Sequence, residues 1–371
     1  MCILFMTSVH AWPGAGRMLA ADTSALVHSF YFVAIEVFGR ASVPLLSLMS
    51  GLLFVTSFQR RGSTSVLAGK LQTLIVPLLA WSVPMVAIFF AEPFITGEPT
   101  PTWSAMDWVN AFFSISQAPA NLPLHFFREI FVMAVYGCLI MGVFRWNRLG
   151  GIVLAVLVAL VEQKAGGFLM LRNQIAVFFV AGMLLAMIGR ANWHPRWPAV
   201  AAAMVCLAVA WSAGVFDAPP QNILQQRAAE LLPRLAVSLL MWWLAYAIAM
   251  RVGHLRAALL RIEPHIFVAF CSHAIMVKPF ALAAMLLGFT ETSVWLPLFL
   301  LLQMAVFVGV GVVLSHLLAP WPWLRGKAGH RRADKAESGV QFARLQRVVR
   351  RAAFDQASGR PVTGVAGSLS S

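Results

Sequence analysis

The sequence predicts an all-α polytopic membrane protein with about ten transmembrane helices and both termini in the cytoplasm. Of the 371 residues, 60% are hydrophobic and only 11% are charged, whereas soluble domains carry roughly 25% charged residues. The apolar residues form stretches of about 20, the length that crosses a bilayer as a helix. Lysine and arginine are concentrated in alternate connections between these stretches, which sets the orientation.

The predicted spans are read from the apolar stretches in chain order. They lie near residues 1–13, 31–58, 71–91, 122–144, 150–162, 171–189, 197–216, 231–250, 265–288 and 294–318. The first is too short to cross a bilayer by itself. We therefore expect either that the true start lies upstream of Met1 or that this segment is partly re-entrant.

The charges of the connections assign the two sides. One set holds ten cations and a single acid, Glu263. Its cations are Arg60, Arg61, Lys70, Arg145, Arg148, Arg190, Arg196, Arg251, Arg256 and Arg261. The opposite set holds five cations, among them Arg172, and eight acids, among them Glu98. Because cytoplasmic loops carry the excess of Lys and Arg, the first set is predicted to be cytoplasmic.

The composition changes near residue 321, which divides the chain into a membrane domain, 1–320, and a basic cytosolic tail, 321–371. The tail holds ten Lys or Arg and three acids. Four arginines recur at helical spacing beside apolar residues: Arg344, Arg347, Arg350 and Arg351. This pattern is typical of an amphipathic helix on anionic lipid, and a solvated disordered tail is the alternative. Nucleic-acid binding is not indicated.

Arg40 lies in the second predicted span, where an arginine costs about 2.5–3.5 kcal/mol at the bilayer centre even on insertion scales. Glu36 precedes it by four residues, so the two share a helix face and can neutralise each other. A buried ion pair that only fixes helix packing is the alternative to a functional site. Pro44 follows one turn later and is predicted to kink the helix and open space beside Arg40.

Arg128 and Glu129 lie in the fourth predicted span, and Lys278 lies in the ninth. Adjacent helical residues point about 100° apart, so Arg128 and Glu129 are not expected to form a simple pair on one helix face. Glu129 is predicted to accept a hydrogen bond from Arg40 or Lys278. Arg128 is predicted to extend toward the lipid headgroups.

His10 and His273 each lie near the middle of a predicted span, and His125 lies at the outer edge of another. A neutral imidazole is the base that is least costly to bury and is active near pH 7. A packing role is the alternative for each histidine. The four cysteines have no metal-ligand spacing, and no nucleotide-binding or zinc-protease motif is present. No metal is expected.

Several segments together resemble the acyltransferase 3 family of integral membrane O-acyltransferases. They are VHAWPG around His10, FGRASVPLLSLMSGLLF from Phe38, QRRGSTSVLAGK, LIVPLLAW from Leu74, LPLHFFREIFV from Leu122 and FCSHAIM from Phe270. The most specific segment is Arg-x-x-Val-Pro-Leu followed by Ser-Gly, here Arg40, Val43, Pro44, Leu45, Ser50 and Gly51. The resemblance covers the chain from His10 to about His316.

The resemblance implies transfer of an acyl group, acetyl or succinyl, from cytoplasmic acyl-CoA to a hydroxyl of a glycan or lipid-linked sugar on the other face. It implies a bacterial inner membrane location. The family's first-span histidine, a proposed catalytic residue, corresponds to His10. An arginine eleven positions before it falls upstream of Met1. The usual RxxR spacing is not kept at Arg60 and Arg61, and Cys271 and Ser272 replace the tyrosine that often precedes the ninth-span histidine.

We therefore assign predicted roles. His10 is the general base and Arg40 is the cation at the thioester carbonyl, both catalytic. Arg60, Arg61 and Lys70 anchor the CoA phosphates. The predicted substrate-binding residues are Glu36, His125, Glu129, His273 and Lys278. Acetyl-CoA is the expected donor substrate, with no bound cofactor. The alternative function is a secondary transporter in which Glu36, Arg40 and His273 line the path.

Overall fold

The computed structural model of the protein describes residues 2–11, 24–97, 99–162, 169–190, 193–212, 223–288 and 295–325. Within these ranges every regular element is a helix and none is a strand, so the predicted helical fold class is confirmed there. The side chain of Glu36 and the predicted amphipathic tail helix lie outside the described part of the chain.

The helices follow one another along the described part of the chain. They are α1 Cys2–Ser8, α2 Ala25–Tyr31, a π-helix Phe32–Gly39, α3 Arg40–Lys70, a second π-helix Leu71–Ile75, α4 Val76–Thr96, α5 Ala105–Phe113, a 3-10 turn Leu122–Leu124, α6 His125–Trp146, α7 Arg148–Glu162, α8 Asn173–Met187, α9 Trp197–Ser212, α10 Ile223–Arg251, α11 Gly253–Leu286, α12 Leu296–Leu317 and a 3-10 turn Pro322–Arg325.

Five helical stretches among the described residues are long and apolar enough to cross a membrane. They are Val27–Ile95, Leu122–Trp146, Gln225–Arg251, Gly253–Leu286 and Leu296–Leu317. Helices α7, α8 and α9 have 15, 15 and 16 residues, fewer than the roughly 20 that a crossing needs, and α1 has only 7. Transmembrane helices are therefore present, whereas the predicted count of ten is not confirmed.

The longest stretch contains a break at Gly62. It runs for 69 residues, about 100 Å as a continuous helix and thus several times the hydrocarbon thickness. Gly62 has φ 75° and ψ 174°, a region that glycine adopts without the steric penalty of a side chain. The second and third predicted spans therefore lie on the two sides of this residue.

The irregular turns of the second predicted span precede Pro44 instead of starting there. The π-helix ends at Gly39, and α3 keeps helical backbone angles at Pro44, with non-helical angles only at Gly62. A proline donates no backbone hydrogen bond to the preceding turn. The widened π-turns place Arg40 at the first position of α3.

Two glycines allow α3 and α8 to cross in direct backbone contact. A Cβ on Gly51 would collide with the carbonyl of Phe179, and a Cβ on Gly182 would collide with the carbonyl of Leu48. Small residues at a crossing let helix backbones approach closely, as is common in membranes. The Ser-Gly segment that follows Arg40 is therefore a packing site between α3 and α8.

Candidate functional site

The imidazoles of His10 and His273, far apart in the sequence, lie side by side in the structure. His10 is in the turn after α1, and its backbone N–H donates to the carbonyl of Thr7 at 3.2 Å. His273 lies in α11 and is 0% exposed. The ring centroids are 5.7 Å apart and the planes meet at 49°. The structure thus brings together two residues that the sequence predicts separately.

Helix α1 is held in place by contacts on two sides, which positions His10. The ring of Phe5 stacks on Phe38 at a centroid distance of 5.0 Å. On the other side the hydroxyl of Thr7 donates to the sulfur of Met304 at 3.3 Å. Gly39 leaves room for Val9, whose side chain a Cβ there would meet at 2.5 Å. The π-helix and α12 therefore fix the short first helix.

His273 has a defined tautomer when its ring is neutral. Its Nδ1 lies 2.5 Å from the carbonyl oxygen of Phe270. A carbonyl only accepts, so Nδ1 carries the hydrogen and Nε2 carries the lone pair. This Nε2 is buried and has no hydrogen-bond partner among the described residues. An unpartnered buried acceptor is uncommon in folded proteins and marks a candidate functional group.

Two further polar residues complete the histidine cluster. His125 is the first residue of α6, and its Nδ1 lies 2.6 Å from the carbonyl of Leu122, which leaves Nε2 as the acceptor by the same reasoning. Arg172, immediately before α8, interacts electrostatically with both His10 and His125. We call His10, His125, His273 and Arg172 the histidine cluster. Within the described ranges it forms no group of three metal-ligating residues.

The backbone before α8 is held by two buried carboxylates. The carboxylate of Glu162 accepts the N–H of Leu169 at 3.1 Å and the N–H of Met170 at 3.1 Å. The carboxylate of Glu129 accepts the N–H of Leu171 at 3.1 Å. Both glutamates are 0% exposed. The position of Arg172 is therefore set by residues of α6 and α7.

The predictions for the partners of Arg128 and Glu129 are wrong. Their side chains form a direct salt bridge, with Nη1 3.1 Å from Oε1. Arg128 is 9% exposed and donates to the carbonyl of Leu169, so its guanidinium lies in the interior instead of extending toward headgroups. Lys278, a predicted partner of Glu129, binds Glu92 on α4 at 2.6 Å instead.

Arg40 lines a separate cavity of about 430 Å³ between the π-helix, α9 and α10. Its other charged lining residues are Glu230 and Arg234. Arg234 donates to the side chain of Gln174, which is two residues after Arg172. One lining residue of the Arg40 cavity thus contacts the first turn of α8.

The predicted CoA anchors are far from the histidines. Arg60 and Arg61 are exposed near the Gly62 break, and the guanidinium of Arg145 lies 4.7 Å from the ring centroid of Phe58, one turn earlier. His125 and Arg145 are at opposite ends of α6, which places them about 30 Å apart along its axis. Lys70 is half-buried at the end of α3.

Sequence reasoning missed Glu162 and Arg172 as site residues. Both were treated as loop charges, because each lies at the end of an apolar stretch. One signal was available for Arg172: it is a cation in connections that otherwise hold mainly acids.

Comparison with known proteins gives a family. Residues 1–316 match the profile of the acyltransferase 3 family, described as an acyltransferase domain. The chain is 27% identical over 190 residues to the succinoglycan biosynthesis protein ExoH of Rhizobium meliloti (strain 1021). That match covers 49% of this chain, and the chain spans about half (50%) of the length of this curated relative. No solved structure matches the chain. Because the family profile covers most of its length, the protein belongs to the acyltransferase 3 family.

Proposed function

We propose that the protein is a membrane O-acyltransferase. It moves an acyl group from cytoplasmic acyl-CoA to a hydroxyl of an extracytoplasmic glycan or lipid-linked sugar, in the bacterial inner membrane. The observation that carries the proposal is the pair of imidazoles at a 5.7 Å centroid distance, that of half-buried His10 and that of fully buried His273. Family membership and a relative named for succinoglycan biosynthesis support the reaction class and a polysaccharide acceptor.

The reaction needs a base at the acceptor hydroxyl. In the proposed step His10 takes the hydroxyl proton while the oxygen attacks the thioester carbonyl carbon. A C–O bond forms, the tetrahedral intermediate collapses, the C–S bond breaks, and His10 returns the proton to the thiolate of CoA. General base catalysis of this kind contributes about 10²–10⁴-fold to the rate.

His273 positions His10 in this scheme. Its Nε2 lone pair accepts the N–H of His10 through one water, across the 5.7 Å between the ring centroids. The other nitrogen of His10 is then unprotonated and available to the hydroxyl. A histidine base is oriented by the hydrogen bond that its second nitrogen makes. The buried and unpartnered Nε2 of His273 supports this role.

The remaining predicted roles are kept as part of the proposal. Arg40 stabilises the oxyanion of the tetrahedral intermediate, a contribution of about 10²–10³-fold for one donor. The cavity that Arg40 lines is mostly apolar, and its other charged residues are Glu230 and Arg234. Arg234 donates to Gln174 in the first turn of α8, which supports a role for this cavity near the start of α8. Glu36, His125 and Glu129 bind or position the substrates. Lys278 contacts the acceptor from the exposed side, where Glu92 holds its ammonium.

The donor enters from the end of the bundle that holds Arg60, Arg61 and Lys70. These cations bind the CoA phosphates, and Arg145 adds positive charge nearby. Because about 30 Å separates this end of α6 from His125, the thioester has to reach the acceptor through the helix bundle. We favour direct transfer, because no serine nucleophile with a neighbouring base is evident in the sequence; a covalent acyl-histidine is the alternative.

Purified protein in proteoliposomes tests the function. With radiolabelled acyl-CoA outside and a polysaccharide or lipid-linked oligosaccharide acceptor inside, we expect label in the acceptor. His10→Ala should abolish this label. Uptake of an unmodified solute without acyl transfer would instead establish the secondary transporter, and absence of transfer with every donor and acceptor pair would reject the acyltransferase.

A further inference from the structure

Buried charged side chains, whose desolvation is energetically unfavourable, hold the backbone of the segment Leu169–Arg172. Glu129 and Glu162 are both 0% exposed, and Arg128 is 9% exposed. Buried ionisable groups are costly in a membrane protein and usually face a partner or a functional cavity. Here they hold backbone: the two carboxylates accept the N–H groups of residues 169–171, and Arg128 donates to the carbonyl of Leu169.

Arg172 directly follows the backbone that these carboxylates hold. It precedes α8 with non-helical angles, φ −124° and ψ 87°, and its side chain is exposed. No salt bridge to Arg172 is found among the described residues, whereas the charge of Arg128 is balanced by Glu129 at 3.1 Å. The positive charge of Arg172 is therefore available to a ligand.

The surroundings of Arg172 reinforce a positive potential. The residue before it, Leu171, is hydrogen-bonded to Glu129, one turn after His125 in α6, and the charge of Arg172 acts on both His10 and His125. Helix α8 begins at the next residue and has no side-chain N-cap, and its N-terminus adds partial positive charge. The ring of His10 in turn lies beside His273, at a centroid distance of 5.7 Å.

We propose that Arg172 is a specificity residue that binds an anionic group of a substrate, a carboxylate or a phosphate, while the hydroxyl and thioester react at His10. Such an oxyanion forms a bidentate pair with a guanidinium. The inference rests on the proposed function and adds the chemical class of substrate. The group has two possible sources: the free carboxylate of a dicarboxylic acyl donor, or a phosphate of a lipid-linked acceptor.

The experiment compares Arg172→Gln with Arg172→Lys and with Arg190→Gln, a control at the opposite end of α8. Each protein is assayed with succinyl-CoA and acetyl-CoA, and with acceptors that carry or lack the lipid phosphate. Dissociation constants of both donors and of the phosphorylated acceptor are measured without turnover. Loss of a charge-assisted contact predicts an increase of about tenfold or more in KM and Kd for the charged substrate.

The two sources give different patterns. If the donor supplies the anion, Arg172→Gln weakens succinyl-CoA alone and removes any preference over acetyl-CoA. If the acceptor supplies it, both donors lose rate equally and only the phosphorylated acceptor binds more weakly. Arg172→Lys should retain part of the effect, and Arg190→Gln should match the unmodified protein. Unchanged KM and Kd for every substrate in Arg172→Gln overturns the inference. Absence of transfer by the unmodified protein rejects the proposed function instead. In that case the Kd values alone show whether Arg172 binds an anionic substrate.

Discussion

The imidazole of His273 lies 5.7 Å from that of His10, and its buried Nε2 has no hydrogen-bond partner within the described ranges. The Phe270 carbonyl binds Nδ1 of the same ring at 2.5 Å, so the lone pair of the neutral ring is confined to Nε2. A buried lone pair next to a second imidazole is suited to orient that imidazole. This relationship underlies the first two predictions.

Replacement of His10 should remove turnover and leave donor binding intact. In His10→Ala the base that acts in the transition state is lost, whereas little ground-state contact with CoA is lost. We expect transfer to fall by at least about 10²-fold with an unchanged Kd for acyl-CoA, measured by equilibrium binding. The double variant Arg60→Ala with Arg61→Ala should show the opposite: weaker CoA binding. A histidine variant that lost CoA binding and kept its maximal rate would reverse the two assignments.

His273→Asn and His273→Gln separate packing from orientation. The Asn amide can replace the Nδ1–H donor to Phe270 but has no atom at Nε2, whereas the Gln carbonyl oxygen can act as an acceptor near Nε2. We expect Asn to lower kcat by about 10²-fold and Gln to retain more activity, with acyl-CoA KM unchanged in both. The pH profile of kcat should shift only in the variants that no longer orient His10. Equal loss in both variants, with reduced thermal stability, would indicate a packing role.

Arg40→Lys should lose most activity while the protein still inserts into the membrane. The point charge of an ammonium does not reproduce the planar guanidinium fork, so a donor to the oxyanion is lost at about 10²–10³-fold in kcat. Membrane content and thermal unfolding of the purified variant serve as controls. Near-normal turnover would assign Arg40 to helix packing.

The crossing of α3 and α8 should not tolerate a side chain. In Gly51→Ala or Gly182→Ala the new Cβ meets backbone carbonyls of the other helix, and overpacking of this kind costs about 1–3 kcal/mol or more. We expect a lower unfolding temperature in detergent and reduced yield. Gly69→Ala is the control, because Gly69 lies in α3 like Gly51 and a Cβ there has nothing within 4 Å. Equal stability of all three variants would contradict the packing account.

Loop charges predict that residue 98 is outside the cell membrane and residue 335 is inside. In a chain without its native cysteines, Glu98→Cys should react with an impermeant thiol reagent in intact cells, and Lys335→Cys should react only after permeabilisation. The reverse pattern of labelling would overturn the predicted orientation.

The sequence determined the helical membrane class of the protein, because composition and the length of apolar stretches are properties of single segments. An 11% charged fraction and long apolar stretches require helices in lipid, where every backbone polar group has to be bonded within its own segment. The motifs around His10, Arg40 and His273 indicated the acyltransferase 3 family, because each of them is also a local sequence pattern. These inferences need no knowledge of which helices touch.

Partners across helices were decided only by the tertiary structure. Sequence spacing gave Arg128 and Glu129 divergent directions, but long side chains bend toward each other and form a 3.1 Å salt bridge. Sequence spacing also offered Arg40 or Lys278 as the partner of Glu129, whereas the packing of α11 on α4 pairs Lys278 with Glu92. Arg172 became a candidate because two buried carboxylates from other helices hold the backbone of the two residues before it. The physical reason is that charges in a low-dielectric interior pair with whatever group the fold brings within a few ångströms, and that proximity is not encoded in local periodicity.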